Sequence, residues 1–164
     1  MIEEIIERLS NIKLFSFIKT DVERLERLAK LFNIIQCKKG EIVLKEGDLG
    51  DSLHIIFSGS VRIVKHTSAR DPYTVVILED HENVFFGEIS LLEDSRRTAT
   101  VVCESDCTFL VLGREQFGEI CRTDHYVGMM VMRRLAEILA ERLRKADDDI
   151  ITLFNALVEE IGEV

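Results

Sequence analysis

No stretch of this 164-residue chain is apolar for long enough to cross a bilayer. Its start, Met1-Ile2-Glu3-Glu4, is acidic where a secretory leader would be basic, so a cytoplasmic location and no membrane partner are expected. Cysteine is sparse. Cys37, Cys103, Cys107 and Cys121 form neither a Cys-x-x-Cys pair nor a disulfide framework, and read as small buried hydrophobes in a reducing compartment. The four histidines, His54, His66, His81 and His125, lie far apart, which leaves a metal-dependent enzyme without a ligand set. No nucleophile elbow is present, and neither catalysis nor a resident cofactor is expected. A basic excess is also missing. With 21 Lys and Arg against 30 Asp and Glu, the net charge is −9, and no face reads as a basic stripe that could neutralise DNA phosphates.

What is present is an ordinary globular composition, 46% hydrophobic and 31% charged, at a length suited to one substantial core. Ile2, Ile5, Ile6 and Leu9 fall at helical spacing and predict a short amphipathic helix ending near Ser10-Asn11. Thr20-Asp21-Val22-Glu23 reads as a capping box with Thr20 as the cap, which makes Val22, Leu25, Leu28, Ala29 and Phe32 the buried face of a second helix. From Ile34 the period changes. Short β-prone runs at 34–37, 41–44, 53–57, 60–64, 75–78, 98–103 and 108–112 are separated by turn signals such as Lys39-Gly40, Gly47-Asp48, Gly50-Asp51 and Ser58-Gly59. The glycines of the 47–51 corner are expected to adopt positive φ. Residues 67–73, with the single proline, and 79–83 read as loops.

The expected fold is mainly β with flanking helices: an antiparallel β-roll (a double-stranded β-helix or jelly roll). N-terminal helices occupy 1–33, the roll 34–114, and a long helical segment 115–164. In that segment Ala136, Leu143, Ile150, Leu157 and Val164 recur every seven residues, with Met132, Leu139, Ala146 and Leu153 as companions. Such a seam suits a homodimer, and would equally suit packing on the chain's own roll. Asp147-Asp148-Asp149 is expected to split the segment, with Asp147 capping a last helix. From Asp147 onward there is no Lys or Arg.

One stretch carries chemistry, Phe86-Gly87-Glu88-Ile89-Ser90-Leu91-Leu92 followed by Arg97-Thr98-Ala99-Thr100-Val101. Gly87 permits close backbone approach. If 88–92 form one helical turn, the amides of Ile89 and Ser90 lack internal partners and can hold an anion. Arg97 offers a planar charged fork suited to phosphate. Glu88, an acceptor when ionised, can take a hydrogen bond from a sugar hydroxyl. Together they describe a site for a phosphorylated sugar or a nucleotide.

This stretch resembles the phosphate-binding cassette of cyclic nucleotide-binding domains, the family of the catabolite activator protein, the regulatory subunits of cyclic-AMP-dependent kinase and cyclic-nucleotide-gated channels. The likeness extends to Lys39-Gly40-Glu41-Ile42-Val43, Glu46-Gly47-Asp48-Leu49-Gly50-Asp51-Ser52-Leu53 and His54-Ile55-Ile56-Phe57-Ser58-Gly59-Ser60-Val61, and covers roughly residues 12–145. The resemblance implies a cassette at 86–101 in which Gly87, Glu88, Ile89, Ser90, Arg97, Thr98 and Ala99 hold a cyclic nucleotide. Glu88 would take the ribose 2′-hydroxyl and Arg97 the phosphate, while Ile63 and Val75 form apolar walls for the base. Arg142, on the long helix, would approach the phosphate and Glu88. The 47–51 corner would also line the pocket. Thr98 fits either cAMP or cGMP. The chain departs from the family at Arg96, where relatives often carry proline, at 79–83, where they usually have a glycine turn, and at Ala146-Asp147, where polar residues grip the base.

The expected function is cyclic nucleotide sensing without catalysis, signalled through the C-terminal helix of a homodimer to an effector protein, with no DNA contact by this chain. Rival readings are an interaction domain with a degenerate pocket, an activator-type regulator truncated before its DNA-binding domain, and a β-roll enzyme.

Overall fold

A computed structural model describes residues 1–66 and 72–162 of the chain. Helix α1 (Ile2–Asn11) and a 3-10 turn (Ser16–Ile18) lead into α2 (Val22–Ala29). The strands follow: β1 (Asn33–Cys37), β2 (Ile42–Leu44), β3 (Ser52–Ser58), β4 (Ser60–His66), β5 (Pro72–Glu79) and β6 (Phe85–Phe86). A single turn of helix, α3 (Ile89–Leu92), separates these from β7 (Thr100–Cys103) and β8 (Cys107–Gly113). Helices α4 (Arg114–Thr123) and α5 (His125–Gly162) close the chain. The loop expected at 67–73 lies largely outside the described residues, as does Val164 of the heptad series.

Two four-stranded antiparallel sheets, ordered β1-β8-β3-β6 and β2-β7-β4-β5, make the β-roll. Strand alternation sorts the side chains into two cores. Val61, Val101 and Cys103 meet Ile56, Phe86, Phe109 and Val111 between the sheets. On the other face of the first sheet, Leu53, Ile55, Leu110 and Leu112 pack against Leu9, Phe15, Leu25, Phe117, Val131 and Leu135 of the helical layer. Strand β8 therefore serves both cores, with Phe109 and Val111 facing one and Leu110 and Leu112 the other. Cys103 and Cys107 are buried, and Cys37 and Cys121 partly so. Burial and the neighbouring thiols push Cys103 up to about 12.

The local chemistry differs from expectation at four places. Asp21, not Thr20, caps α2, accepting the Arg24 amide at 3.1 Å; Val22 thus becomes the first helical residue and lies exposed on the rim. Residues 79–83 form a capped 3-10 turn in which the Glu82 carboxylate accepts the Glu79 amide at 2.7 Å. Asn83, at φ 52°, takes the left-handed position that a glycine would otherwise hold. In the 47–51 corner only Gly47 has positive φ (87°); Gly50 is needed for space, since a Cβ there would stand 2.2 Å from Ser90 Oγ. Finally, α5 runs unbroken through Asp147-Asp148-Asp149. All three acids are exposed, no Gly or Pro interrupts them, and the Ala, Leu, Arg and Lys before them are strong helix formers. The break falls earlier, at Asp124, whose carboxylate accepts the Val127 amide at 3.1 Å and starts α5.

Candidate ligand-binding site

Between β4, β5, β7 and the segment after β6 lies a cavity of about 340 Å³. Its apolar wall is Leu44, Ile63, Val76, Leu78, Val84 and Val101; its polar side is Gly87, Glu88, Ile89 and Ser90 facing Ser95 to Ala99. The backbone leaves β6 through Gly87 at φ 78°, where a Cβ would come within 2.7 Å of Arg97 Nη1 and 2.9 Å of the Ser52 carbonyl. The chain then turns into α3, with the Ser90 and Leu91 amides donating back to the Gly87 and Glu88 carbonyls. Of the two amides expected to be free, that of Ser90 is thus engaged. Those of Glu88 and Ile89 make no hydrogen bond among the described residues.

Arg97 is 8% exposed. Its Nη1 donates to the Ser52 carbonyl at 2.8 Å, the Gly87 carbonyl at 3.2 Å and Ser90 Oγ at 3.0 Å, and its Nη2 to Ser52 Oγ at 3.0 Å. Every one of these acceptors is neutral, and among the described residues no carboxylate lies within 4.0 Å. Burial pushes the guanidinium below its usual range, opposed by the carboxylates of Asp51 and Glu88. An incompletely neutralised buried cation favours an anion beside it. The 47–51 corner does not line the cavity. It braces Arg97 from behind through two main-chain bonds, Arg97 N to the Asp48 carbonyl at 2.8 Å and Gly47 N to the Arg97 carbonyl at 2.9 Å.

Glu88 is 2% exposed, and its Oε1 accepts from Nη1 of the half-exposed Arg142 on α5. The long helix is thereby tied to the cassette across the cavity. His54 stacks on Phe86 at 5.4 Å and lies edge-on to Phe109, directly behind the cassette. Burial, then the Arg97 cation, lower its pKa to about 4, and Nδ1 has no partner.

Nine of the ten expected residues, Gly87, Glu88, Ile89, Ser90, Arg97, Thr98, Ala99, Ile63 and Arg142, line this cavity. Val75 does not. The β4–β5 register pairs Ile63 with Val76 and then Val64 with Thr74, so a bulge turns Val75 outward and leaves Val76 to face the cavity. Sequence reasoning also missed Lys65 and Leu44, brought in by strand pairing, Ser95, which lies within the 86–101 stretch but was not singled out, and Arg114. Arg114 ties the cassette to the corner, with Nε on the Ser90 carbonyl at 2.7 Å and Nη2 on the Gly50 carbonyl at 3.0 Å. Nothing local in the sequence marks it.

The family model described as cyclic nucleotide-binding domain matches residues 34–124, which runs from the second residue of β1 through α4 and includes the whole cassette. The chain belongs to this family. The cyclic AMP receptor protein of Thermus thermophilus is 35% identical over 109 residues, 66% of this chain and 48% of that protein. The catabolite activator protein structure from the same organism superposes with a TM-score of 0.76 at 30% identity, covering 86% of this chain and 62% of that one. A cyclic nucleotide-binding domain from Methylobacillus flagellatus gives 0.76 at 27%, covering 92% and 82%. The chain spans less than half the length of the curated relatives it matches. Within the family fold, Gly87 to Ser90 and Arg97 to Ala99 are the two sides of one cleft, and α5 is the element that reaches over it. Among the described residues no cluster of His, Cys, Asp and Glu could hold a metal ion, and no helix is long and apolar enough to cross a membrane.

Proposed function

We propose that this domain is a non-catalytic sensor of a cyclic purine mononucleotide, cAMP or cGMP. The observation that supports it most directly is the buried Arg97 guanidinium, held by neutral acceptors at the edge of a cavity of about 340 Å³. The ligand phosphate would sit on Arg97 and the unpartnered Glu88 and Ile89 amides. Thr98 can add a hydroxyl donor to an equatorial oxygen. The ribose 2′-hydroxyl would donate to Glu88, and the base would lie on Ile63, Val76 and Leu78. Ala99 keeps that side of the cleft narrow.

In the same reading, the hydroxyl competes with Arg142 for the Glu88 carboxylate. Ligand binding then shifts α5, and the shift is passed to a second copy of the chain and to an effector protein. Such a shift requires that ligand bind the two helix positions with different affinity. Calorimetric titration of cAMP and cGMP tests the reading, with Arg97→Lys alongside. A single ammonium cannot replace the fork, and the loss of charge-assisted bonds is expected to weaken binding by about 1.5–3 kcal/mol, some ten- to hundredfold. Thermal melts of both proteins report whether the variant stays folded. No heat with either nucleotide for the folded wild type would overturn the sensor reading and favour an interaction domain whose pocket is sealed by the Arg142–Glu88 pair.

A further inference from the structure

We propose that Lys65 reads the purine base and makes this cleft selective for cGMP over cAMP. The inference rests on the sensor reading above and names the ligand of that same site. With the phosphate on Arg97 and the ribose on Glu88, the base is confined to the strand wall of the cavity. Leu44, Ile63, Val76, Leu78 and Val101 make that wall apolar, and Lys65 alone interrupts it. Lys65 stands on β4 two residues beyond Ile63, so it shares a face with Ile63 about 7 Å farther along the strand. The side chain is exposed and has no hydrogen bond or ion pair among the described residues. Tyr73, its neighbour across the β4–β5 ladder, does not line the cavity.

An ammonium donates only: it has three N–H groups and no lone pair. The two purines differ most plainly at position 6. Guanine carries a carbonyl oxygen there, an acceptor beside the N7 acceptor, whereas adenine carries an amino group, a donor. Position 6 sits at the corner shared by the Watson–Crick and Hoogsteen edges. The difference therefore meets Lys65 whichever of these edges the base turns toward it. Facing guanine, Lys65 donates to O6 and N7. Facing adenine, it finds only N7, and the amino group points a donor at a cation.

No acceptor side chain on the strand wall takes that amino group. The one carboxylate of the lining, Glu88, is held on the cassette side by Arg142 and is the ribose acceptor in the sensor reading. A donor stripped of water and left without an acceptor costs affinity. The charge of Lys65 also attracts the ligand phosphate, but that attraction is the same for both bases.

Calorimetric titration of the full chain with cGMP, cAMP and cyclic inosine monophosphate separates these effects. The wild type is expected to bind cGMP about tenfold more tightly than cAMP. The inosine nucleotide keeps O6 and N7 but lacks the amino group at position 2, and is expected to follow cGMP. Lys65→Met keeps an unbranched stem without the ammonium, and is expected to bring the cGMP and cAMP affinities together. Lys65→Gln presents an amide that accepts from the adenine amino group and donates to N7, and is expected to make cAMP the tighter ligand. Thermal melts of the ligand-free proteins are expected to coincide, since residue 65 is exposed. A wild type that binds cAMP as tightly as cGMP overturns the proposal. So does a Lys65→Met protein that weakens all three nucleotides by one factor, the mark of a charge felt only by the phosphate, or a Lys65→Gln protein of unchanged preference. Each of these results leaves the sensor reading standing, whereas a folded wild type that binds none of the three overturns both.

Discussion

At Gly87 a positive φ and two close neighbours, Arg97 Nη1 and the Ser52 carbonyl, act on the same atom position. Gly87→Ala is therefore expected to lower unfolding free energy in urea by about 1–3 kcal/mol and to abolish nucleotide binding, because relief of the clash moves Arg97. His54 makes a different prediction. Its folded pKa, about 4, lies below the ordinary 6.5, so between these values the unfolded chain binds more protons than the folded one. Stability conferred by keeping the ring neutral is complete above pH 6.5 and is lost as pH falls toward 4. Lowering the pH from 7 to 5 should cost about 2 kcal/mol in urea titrations, a loss absent from His54→Phe. At this scale the cassette was legible in the sequence because its residues are contiguous and chemically specific. Val76 and Ser95 were not legible. A bulge decides which of Val75 and Val76 faces inward, and Ser95, though inside the 86–101 stretch, has a side chain that nothing local marks as lining the cleft.

The elements divide along similar lines. Strands bounded by Gly and Asp turns were readable from their punctuation, whereas β6, with two residues, is too short to carry any period. Asp147-Asp148-Asp149 looks like a cap, yet α5 continues through it because nothing there disfavours helical φ and ψ. The cap that matters is Asp124. It receives the Val127 amide and the Arg24 Nε at 2.9 Å, joining α2 to the start of α5. Burial, the largest single influence, would raise its carboxyl, but the Arg24 hydrogen bond, the Val127 amide and the charges of Arg24 and Arg27 together outweigh it and hold the pKa below the usual range. Asp124→Ala should destabilise the domain by about 1–2 kcal/mol in thermal or urea unfolding. Glu141→Ala should do little, since its ion pair with Lys13 is exposed on both sides.

Across the whole molecule, the cyclic nucleotide-binding fold separates two tasks. The second sheet and the cassette shape a cleft, and the helical layer holds the base of α5 while its far half projects into solvent. The family's blocks made this layering legible from sequence. The sequence pattern alone left open whether the apolar seam of α5 packs on its own roll. The exposure of its distal half answers that within the chain.

Strand β8 is covered by the sandwich on one face and by helices on the other. It is a party wall, and neither room can be opened while it stands. Its amides should therefore report global rather than local opening, and should be the last in the domain to take up deuterium. Strand β5, at the edge of its sheet and exposed along most of its length, should exchange early. If ligand binds the cleft, protection should rise first at β5 and the cassette, while β8 slows only as much as the whole domain is stabilised.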